Sequence, residues 1–92
     1  MTIEERMKLA NDPIIWTGDL ADDCTALWAG LMLRAEQMND DDWWWAVYDM
    51  EQAERVVDAA WEYDALFASG AIARAKAEEV ARGYLRGMVE AG

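Results

Sequence analysis

The segment Asp42-Trp43-Trp44-Trp45-Ala46-Val47-Tyr48-Asp49 decides which fold class this 92-residue chain adopts. Its aromatic and β-branched residues have high strand propensity. However, neither Gly nor Pro occurs between the turn at residues 39–42 and Ser69, so no residue in this stretch breaks a long helix. Asp49 with Gln52 also matches a capping box that could open a fresh helix. We therefore predict a helix here and keep a short strand at 43–48 as the alternative.

Capping signals and apolar spacing predict two earlier helices. Thr2 and Glu5 form a capping box for a first helix, which runs through Ala10 and ends before Pro13. After a connector at 13–18, with room for a short strand, Asp19 caps a second helix that reaches about residue 38. Its apolar residues recur at steps of three and four and predict one buried stripe: Leu20, Cys24, Leu27, Leu31, Ala35 and Met38.

The last helix is predicted over residues 71–89, after a break at Ser69-Gly70. The small residues of its apolar stripe permit close approach of a neighbouring helix, and the stripe comprises Ala73, Ala77, Val80, Ala81, Tyr84, Leu85 and Met88. A chain this short supports only one core. The expected fold is therefore all-α, a small single-domain bundle of about four helices over residues 1–92.

The charge of the chain is strongly negative and unevenly distributed. The formal net charge is −11, and ten acids but only one base lie between Glu36 and Asp64. Such a field repels nucleic acid and anionic membranes and attracts basic surfaces. The four bases of the last helix alternate with Glu78 and Glu79, which indicates a solvated face with local ion pairs. We expect neither direct nucleic-acid binding nor membrane association.

The chain lacks the residues that most catalytic and metal sites need. It contains no His, and its six Gly residues form no phosphate-binding loop. Cys24 is the only Cys, so no disulfide can form within the chain, and a reducing cytoplasm is the simplest compartment. The acidic cluster at 39–42 lacks the ligand spacing of a calcium loop. We therefore predict no enzyme activity, no catalytic residues, no metal and no cofactor.

The chain contains six Trp residues but only one Phe, and three of the Trp residues are consecutive. In a helix, side chains about 100° apart would spread Trp43, Trp44 and Trp45 over more than one face. In a strand, Trp43 and Trp45 would face one way and Trp44 the other. Under either assignment at least one indole points toward solvent, a neighbouring loop or a partner. Two alternatives stay open, a thick aromatic core and an exposed interface anchor.

The helical interpretation also predicts an exposed acidic stripe. Glu51, Glu54, Asp58 and Glu62 follow at helical spacing, which would place neighbouring carboxylates about 5–6 Å apart, similar to phosphates along a nucleic-acid strand. Solubility alone would also explain such a stripe. The predicted partner-binding residues combine these acids and the preceding turn with two anchors: Asp40, Asp41, Asp42, Trp43, Trp44, Glu51, Glu54, Asp58 and Glu62.

In size, in composition and in the runs Asp23-Cys24-Thr25-Ala26 and Trp43-Trp44-Trp45-Ala46-Val47, the chain resembles small acidic proteins of bacteriophages. The class includes inhibitors of host defence such as anti-CRISPR proteins. The resemblance implies a helical DNA mimic whose partner is a basic protein or ribonucleoprotein surface, for example a CRISPR effector complex, in the cytoplasm of an infected host. Two alternatives are a helical oligomerisation or assembly factor of a phage, with Trp residues between copies, and an antitoxin-like neutraliser of a basic toxin.

Overall fold

A five-stranded antiparallel sheet and two helices form the fold in the computed structural model, which describes residues 1–39, 42–60 and 67–91. The strands pair in chain order, β1 to β5. In sequence the elements are α1 (Ile3–Leu9), β1 (Thr17–Asp19), β2 (Asp23–Trp28), β3 (Leu31–Asn39), β4 (Asp42–Asp49), a 3-10 helix (Met50–Gln52), β5 (Arg55–Ala59) and α2 (Gly70–Ala91). The predicted all-α bundle of four helices is therefore wrong.

The helix predicted over residues 19–38 is replaced by a hairpin of β2 and β3. Trp28 pairs with Leu31, and the two residues between them, Ala29 and Gly30, have φ angles of 52° and 81°. Positive φ at both positions is typical of the tight two-residue turns that join antiparallel strands. Of the predicted buried stripe, Cys24, Leu31 and Ala35 are buried, but Leu20, Leu27 and Met38 are exposed, because strand alternation and not helical spacing decides which side chains face the core.

The long helix predicted after residue 42 is also wrong, and the strand kept as the alternative at 43–48 is confirmed as part of β4. This strand is central, because it pairs with β3 on one side and β5 on the other. The Asp49 side chain accepts a hydrogen bond from the Glu51 amide at 3.0 Å, but the helix that follows is a single 3-10 turn. Ala53 and Glu54, with φ angles of 56° and 61°, then turn the chain into β5.

The first and last helices match their predictions closely. Thr2 caps α1 by accepting a hydrogen bond from the Glu5 amide at 3.1 Å, and Ala10 ends it. The Ser69 hydroxyl accepts from the Ile72 amide at 3.2 Å at the start of α2. These ends were predictable because caps depend on neighbours three residues apart in sequence.

One core lies between α2 and the face of the sheet that it covers, called here the inner face. From α2 the small residues Ala73, Ala77 and Ala81 are fully buried, and small side chains there let the helix approach the strands closely. The inner-face residues of the central strands are Cys24, Ala26, Trp28, Leu31, Leu33, Ala35, Trp43, Trp45 and Val47. Both helices contribute to this layer, since Met7 of α1 packs against the same cluster.

Candidate docking face

The opposite face of the sheet, called here the outer face, carries a continuous row of apolar side chains. Leu27 pairs with Met32, Met32 with Tyr48, and Tyr48 with Val56, so the row crosses four strands from β2 to β5. Leu27 is 74% exposed and Val56 is 38% exposed, while Met32 and Tyr48 are half-buried. We call these four residues the apolar row.

A cleft of about 350 Å³ extends this apolar surface past the β2–β3 turn. Leu27 lines it together with Leu9 of α1 and Met50 of the 3-10 helix. Leu9 is 40% exposed and Met50 is 36% exposed. Large contiguous apolar patches are uncommon on monomeric soluble proteins and often mark binding sites. The row and the cleft are thus the first half of a candidate docking face.

The other half is an acidic row further along the same strands. Asp19 pairs with Asp23, and Asp23 pairs with Glu36, so three carboxylates line up across β1, β2 and β3. The Arg34 guanidinium lies between two of them, 3.6 Å from Asp23 and 3.7 Å from Glu36. These ion pairs are partly solvent-exposed and therefore contribute little to stability. We call Asp19, Asp23 and Glu36 the acidic row.

The tryptophan triplet is divided between the two faces, as its strand interpretation predicts. Trp43 and Trp45 are 6% and 4% exposed and belong to the core. The Trp43 indole lies directly over Gly70, where an added Cβ would be 2.9 Å from the ring, so Trp43 is placed in the core and not among the surface anchors. Trp44 is half-buried on the outer face next to Glu36, with the Arg34 guanidinium 5.9 Å from its ring centroid.

The predicted acidic stripe does not form among its described members, because Glu51, Glu54 and Asp58 do not share one α-helix. Glu51 lies in the 3-10 helix, Glu54 in the turn that follows, and Asp58 in β5. Asp42 opens β4 and accepts a hydrogen bond from the Asn39 amide group at 2.7 Å. Asp40, Asp41 and Glu62, the remaining predicted acids, lie outside the described residues. The described carboxylates of the predicted stripe therefore lie in three different elements and not at the helical spacing.

Glu51 also holds the start of the chain. Its carboxylate is 2.8 Å from the Met1 amino group. The hydrogen bond to Glu51 and the negative charge of this carboxylate raise the pKa of the Met1 amino group. The N-terminal segment is thereby tied to the connection between β4 and β5, beside the cleft.

A buried ion pair that the sequence did not predict braces this end of the molecule. Arg6 of α1 donates two hydrogen bonds to Asp49, at 3.1 and 3.2 Å, and a third to the Ala29 carbonyl at 2.9 Å. Tyr84 of α2 donates to the same carboxylate at 2.6 Å. Arg6 and Asp49 are 3% and 0% exposed. The network joins α1, β4, α2 and the β2–β3 turn, and so positions Leu9, Leu27 and Met50 around the cleft.

The environment of this network shifts two pKa values in opposite directions. Burial by itself would raise the pKa of Asp49, but hydrogen bonds from Tyr84, Arg6 and the Glu51 amide outweigh it and lower the pKa. Burial raises the pKa of Tyr84, and its hydrogen bond to the negatively charged Asp49 raises it further. Asp49 is thus held as a carboxylate and Tyr84 as a neutral donor, which suits a structural role.

A second cleft, of about 330 Å³, lies on the helical side between α1 and α2. Met7, Trp28 and Leu85 supply its apolar walls, and the Arg82 guanidinium lies 5.3 Å from the Trp28 ring centroid. Arg82 is also 3.7 Å from Glu78, which accepts a hydrogen bond from the Trp16 indole at 3.1 Å. Local ion pairs on α2, predicted from its alternating charges, are therefore present.

Cys24 was expected to be buried, and this is confirmed. Its side chain is 1% exposed and its thiol donates to the Ala35 carbonyl, with the sulfur 3.6 Å from the oxygen. Within residues 1–39, 42–60 and 67–91, Cys, Asp and Glu side chains form no group of three placed to hold a metal ion.

Comparisons with protein families, with curated proteins and with solved structures found no match to this chain. No helix in the described part of the chain is both long and apolar enough to cross a membrane.

Proposed function

We propose that this protein is a binding inhibitor that docks its outer face on a basic, nucleic-acid-binding surface of another protein. One observation carries the proposal: the acidic row and the half-buried Trp44 lie on the same sheet face as the apolar row. Apolar and aromatic side chains supply the anchors of protein interfaces, and the charges around them select the partner.

The charge of the chain supports a basic partner. With a net charge of −11 the protein repels nucleic acids and attracts surfaces rich in Lys and Arg, at rates that fall as salt rises. Nucleic-acid-binding surfaces are basic because they neutralise phosphates. A carboxylate-rich face that occupies such a surface competes with nucleic acid for the same cations, which is the physical basis of inhibition by a DNA mimic.

On this proposal the protein works in the cytoplasm, where nucleic-acid-handling complexes and a reduced Cys24 coexist. The phosphate mimicry is carried by side chains projecting from strands. Strands in a sheet are about 4.8 Å apart, so paired carboxylates of the acidic row repeat at a spacing similar to that first predicted for a helix. A ribonucleoprotein such as a CRISPR effector complex is one partner of this chemistry.

A competition experiment tests the proposal. Immobilised protein is incubated with a host fraction enriched in nucleic-acid-binding proteins, and captured proteins are released with either increasing salt or duplex DNA. We expect both treatments to release the same proteins, because both act on the same basic groups. Capture that resists both salt and duplex DNA would refute phosphate mimicry.

A matched pair of variants locates the contact. The first neutralises the acidic row (Asp19→Asn, Asp23→Asn and Glu36→Gln), and the second neutralises three exposed acids elsewhere (Glu4→Gln, Glu79→Gln and Glu90→Gln). Both leave the net charge three units less negative than −11. We expect the first variant to lose capture and the second to keep most of it. Equal losses would show that only the overall charge matters.

A second candidate, an assembly factor that binds further copies of itself, draws on the exposure of Leu27 and Val56 in the apolar row. Like charges oppose it, because each copy carries a net charge of −11. Sedimentation of the purified protein at low and high salt separates the two candidates. A monomer under both conditions excludes the assembly factor.

A further inference from the structure

We infer that the apolar row is the binding site for a basic amphipathic α-helix of the partner, and that this helix lies across the strands of the outer face. This inference rests on the proposed function and specifies which element of the partner makes the contact. The four members of the apolar row are in register across β2, β3, β4 and β5.

The dimensions of the row match those of a helix. Neighbouring strands are about 4.8 Å apart, so four strands present apolar side chains over about 14 Å. In an α-helix, apolar residues three or four positions apart are separated by roughly 4.5–6 Å along the axis, because each residue rises about 1.5 Å. A stripe at i, i+4, i+7 and i+11 therefore places one side chain near each strand.

The charges on either side of the row favour a helix with basic flanks. On one side, Glu54 lies two residues before Val56, and Glu51 directly follows Met50 in the same connection. On the other side, Asp23 and Glu36 lie four residues along their strands from Leu27 and Met32, which is about 13 Å. A helix with its side chains is about 10–12 Å wide. Since such a helix extends only about 5–6 Å to either side of its axis, its Lys or Arg residues would lie beside Glu54 on one side and would extend toward Asp23 and Glu36 on the other.

The cleft adjoins Leu27, the end of the row on β2, where one end of this helix would bind. Leu9 and Met50 are exposed past the β2–β3 turn, and together with Leu27 they border the cleft of about 350 Å³. A large apolar residue at one end of the partner helix would enter it. A second copy of this chain fits less well, since it would bring Glu51, Glu54 and the acidic row against equally negative surfaces.

The experiment uses a fluorescently labelled 18-residue peptide of Leu and Lys with its leucines on one helical face, and a second peptide of the same composition with the leucines dispersed. Binding to the full chain is measured by anisotropy, and helix formation by circular dichroism. We expect the first peptide to bind at least about tenfold more tightly than the second and to become helical on binding. Equal affinities would overturn the inference.

The variant Leu27→Asp tests whether the peptide binds through apolar contact or through electrostatic attraction alone. It adds a negative charge at a 74% exposed side chain, so electrostatics alone predicts tighter binding of a basic peptide. Apolar contact with the peptide helix predicts the reverse, a loss of affinity of at least about tenfold. The control is Ile72→Asp, which adds the same charge at a 51% exposed side chain on α2. Thermal unfolding confirms that both variants are folded.

The outcomes distinguish this inference from the proposed function. One outcome is that both peptides bind equally and both variants bind as the wild type does, yet neutralising the acidic row abolishes capture. In that case the inhibitor proposal stands and the helix-binding site is wrong. If the free protein is a dimer that Leu27→Asp dissociates, the row is an interface between copies and the inference is likewise wrong. If the one-faced peptide alone binds and loses affinity in Leu27→Asp but not in Ile72→Asp, the inference holds.

Discussion

Replacing Asp49 with Asn perturbs the buried network with almost no change in volume. The Asp49 carboxylate is 0% exposed and accepts hydrogen bonds from Arg6, Tyr84 and the Glu51 amide. The variant leaves the guanidinium of Arg6, a residue 3% exposed, without its counter-charge. Removing one partner of a buried pair costs about 3–5 kcal/mol, a large share of the roughly 5–15 kcal/mol that stabilises a domain. We expect Asp49→Asn to lower the free energy of unfolding by about 3 kcal/mol or more.

Urea unfolding followed by tryptophan fluorescence measures this change. The control is Asp23→Asn, whose carboxylate is 3.6 Å from Arg34 in a partly exposed pair and should change stability by about 0–1 kcal/mol. Adding Arg6→Met to Asp49→Asn should destabilise less than the two single changes together, because the double variant has no unpaired charge. If Asp49→Asn is no more destabilising than Asp23→Asn, or if Arg6→Met and Asp49→Asn are additive, the network does not brace the fold.

Three further predictions concern stability. Because the pKa of Asp49 is lowered in the folded chain, the ionised carboxylate contributes to the free energy of unfolding above about pH 4, and this contribution is lost as the pH falls below that value. The difference in urea midpoint between wild type and Asp49→Asn should therefore shrink toward about pH 3. Gly30→Ala should lower the free energy of unfolding by about 1–2 kcal/mol, since Gly30 has a φ of 81° and a Cβ there would be 2.9 Å from Glu51 Cγ; an unchanged urea midpoint would contradict this. Gly87→Ala should raise it by about 0.5–1 kcal/mol, because nothing lies within 4 Å of the added Cβ in α2; a lower melting temperature would oppose that reasoning.

The candidate site was only partly predictable from the sequence. Trp44 was predicted as an anchor and lies half-buried on the outer face, whereas Trp43 is in the core. The apolar row was missed, because Leu27 and Val56 become neighbours of the same surface only through pairing across four strands. Leu27 was even assigned to a buried helical stripe, although it is the most exposed member of the row. An available signal was the alternation of Cys24, Ala26 and Trp28, which is typical of a strand with one buried face.

The buried ion pair of Arg6 and Asp49 could not be predicted from the sequence for a similar reason. Arg6 and Asp49 are 43 positions apart, and each has an ordinary local role, one in a short helix and one before a helical turn. Only the packing of α1 against the end of β4 removes both from water. Their partner Tyr84 was correctly placed on the inward stripe of the last helix, but its hydrogen bond to Asp49 depends on the same packing.

The sequence by itself determined the net charge of −11, the lack of His and the two helices with local caps. These properties are either compositional or depend on residues a few positions apart. Tertiary structure decided the sheet, the division of the tryptophan triplet between two faces and the outer docking face. The physical reason is that a strand's backbone hydrogen bonds are made with other segments, so a stretch such as Trp43-Trp44-Trp45 adopts its extended conformation only when β3 is present to pair with it.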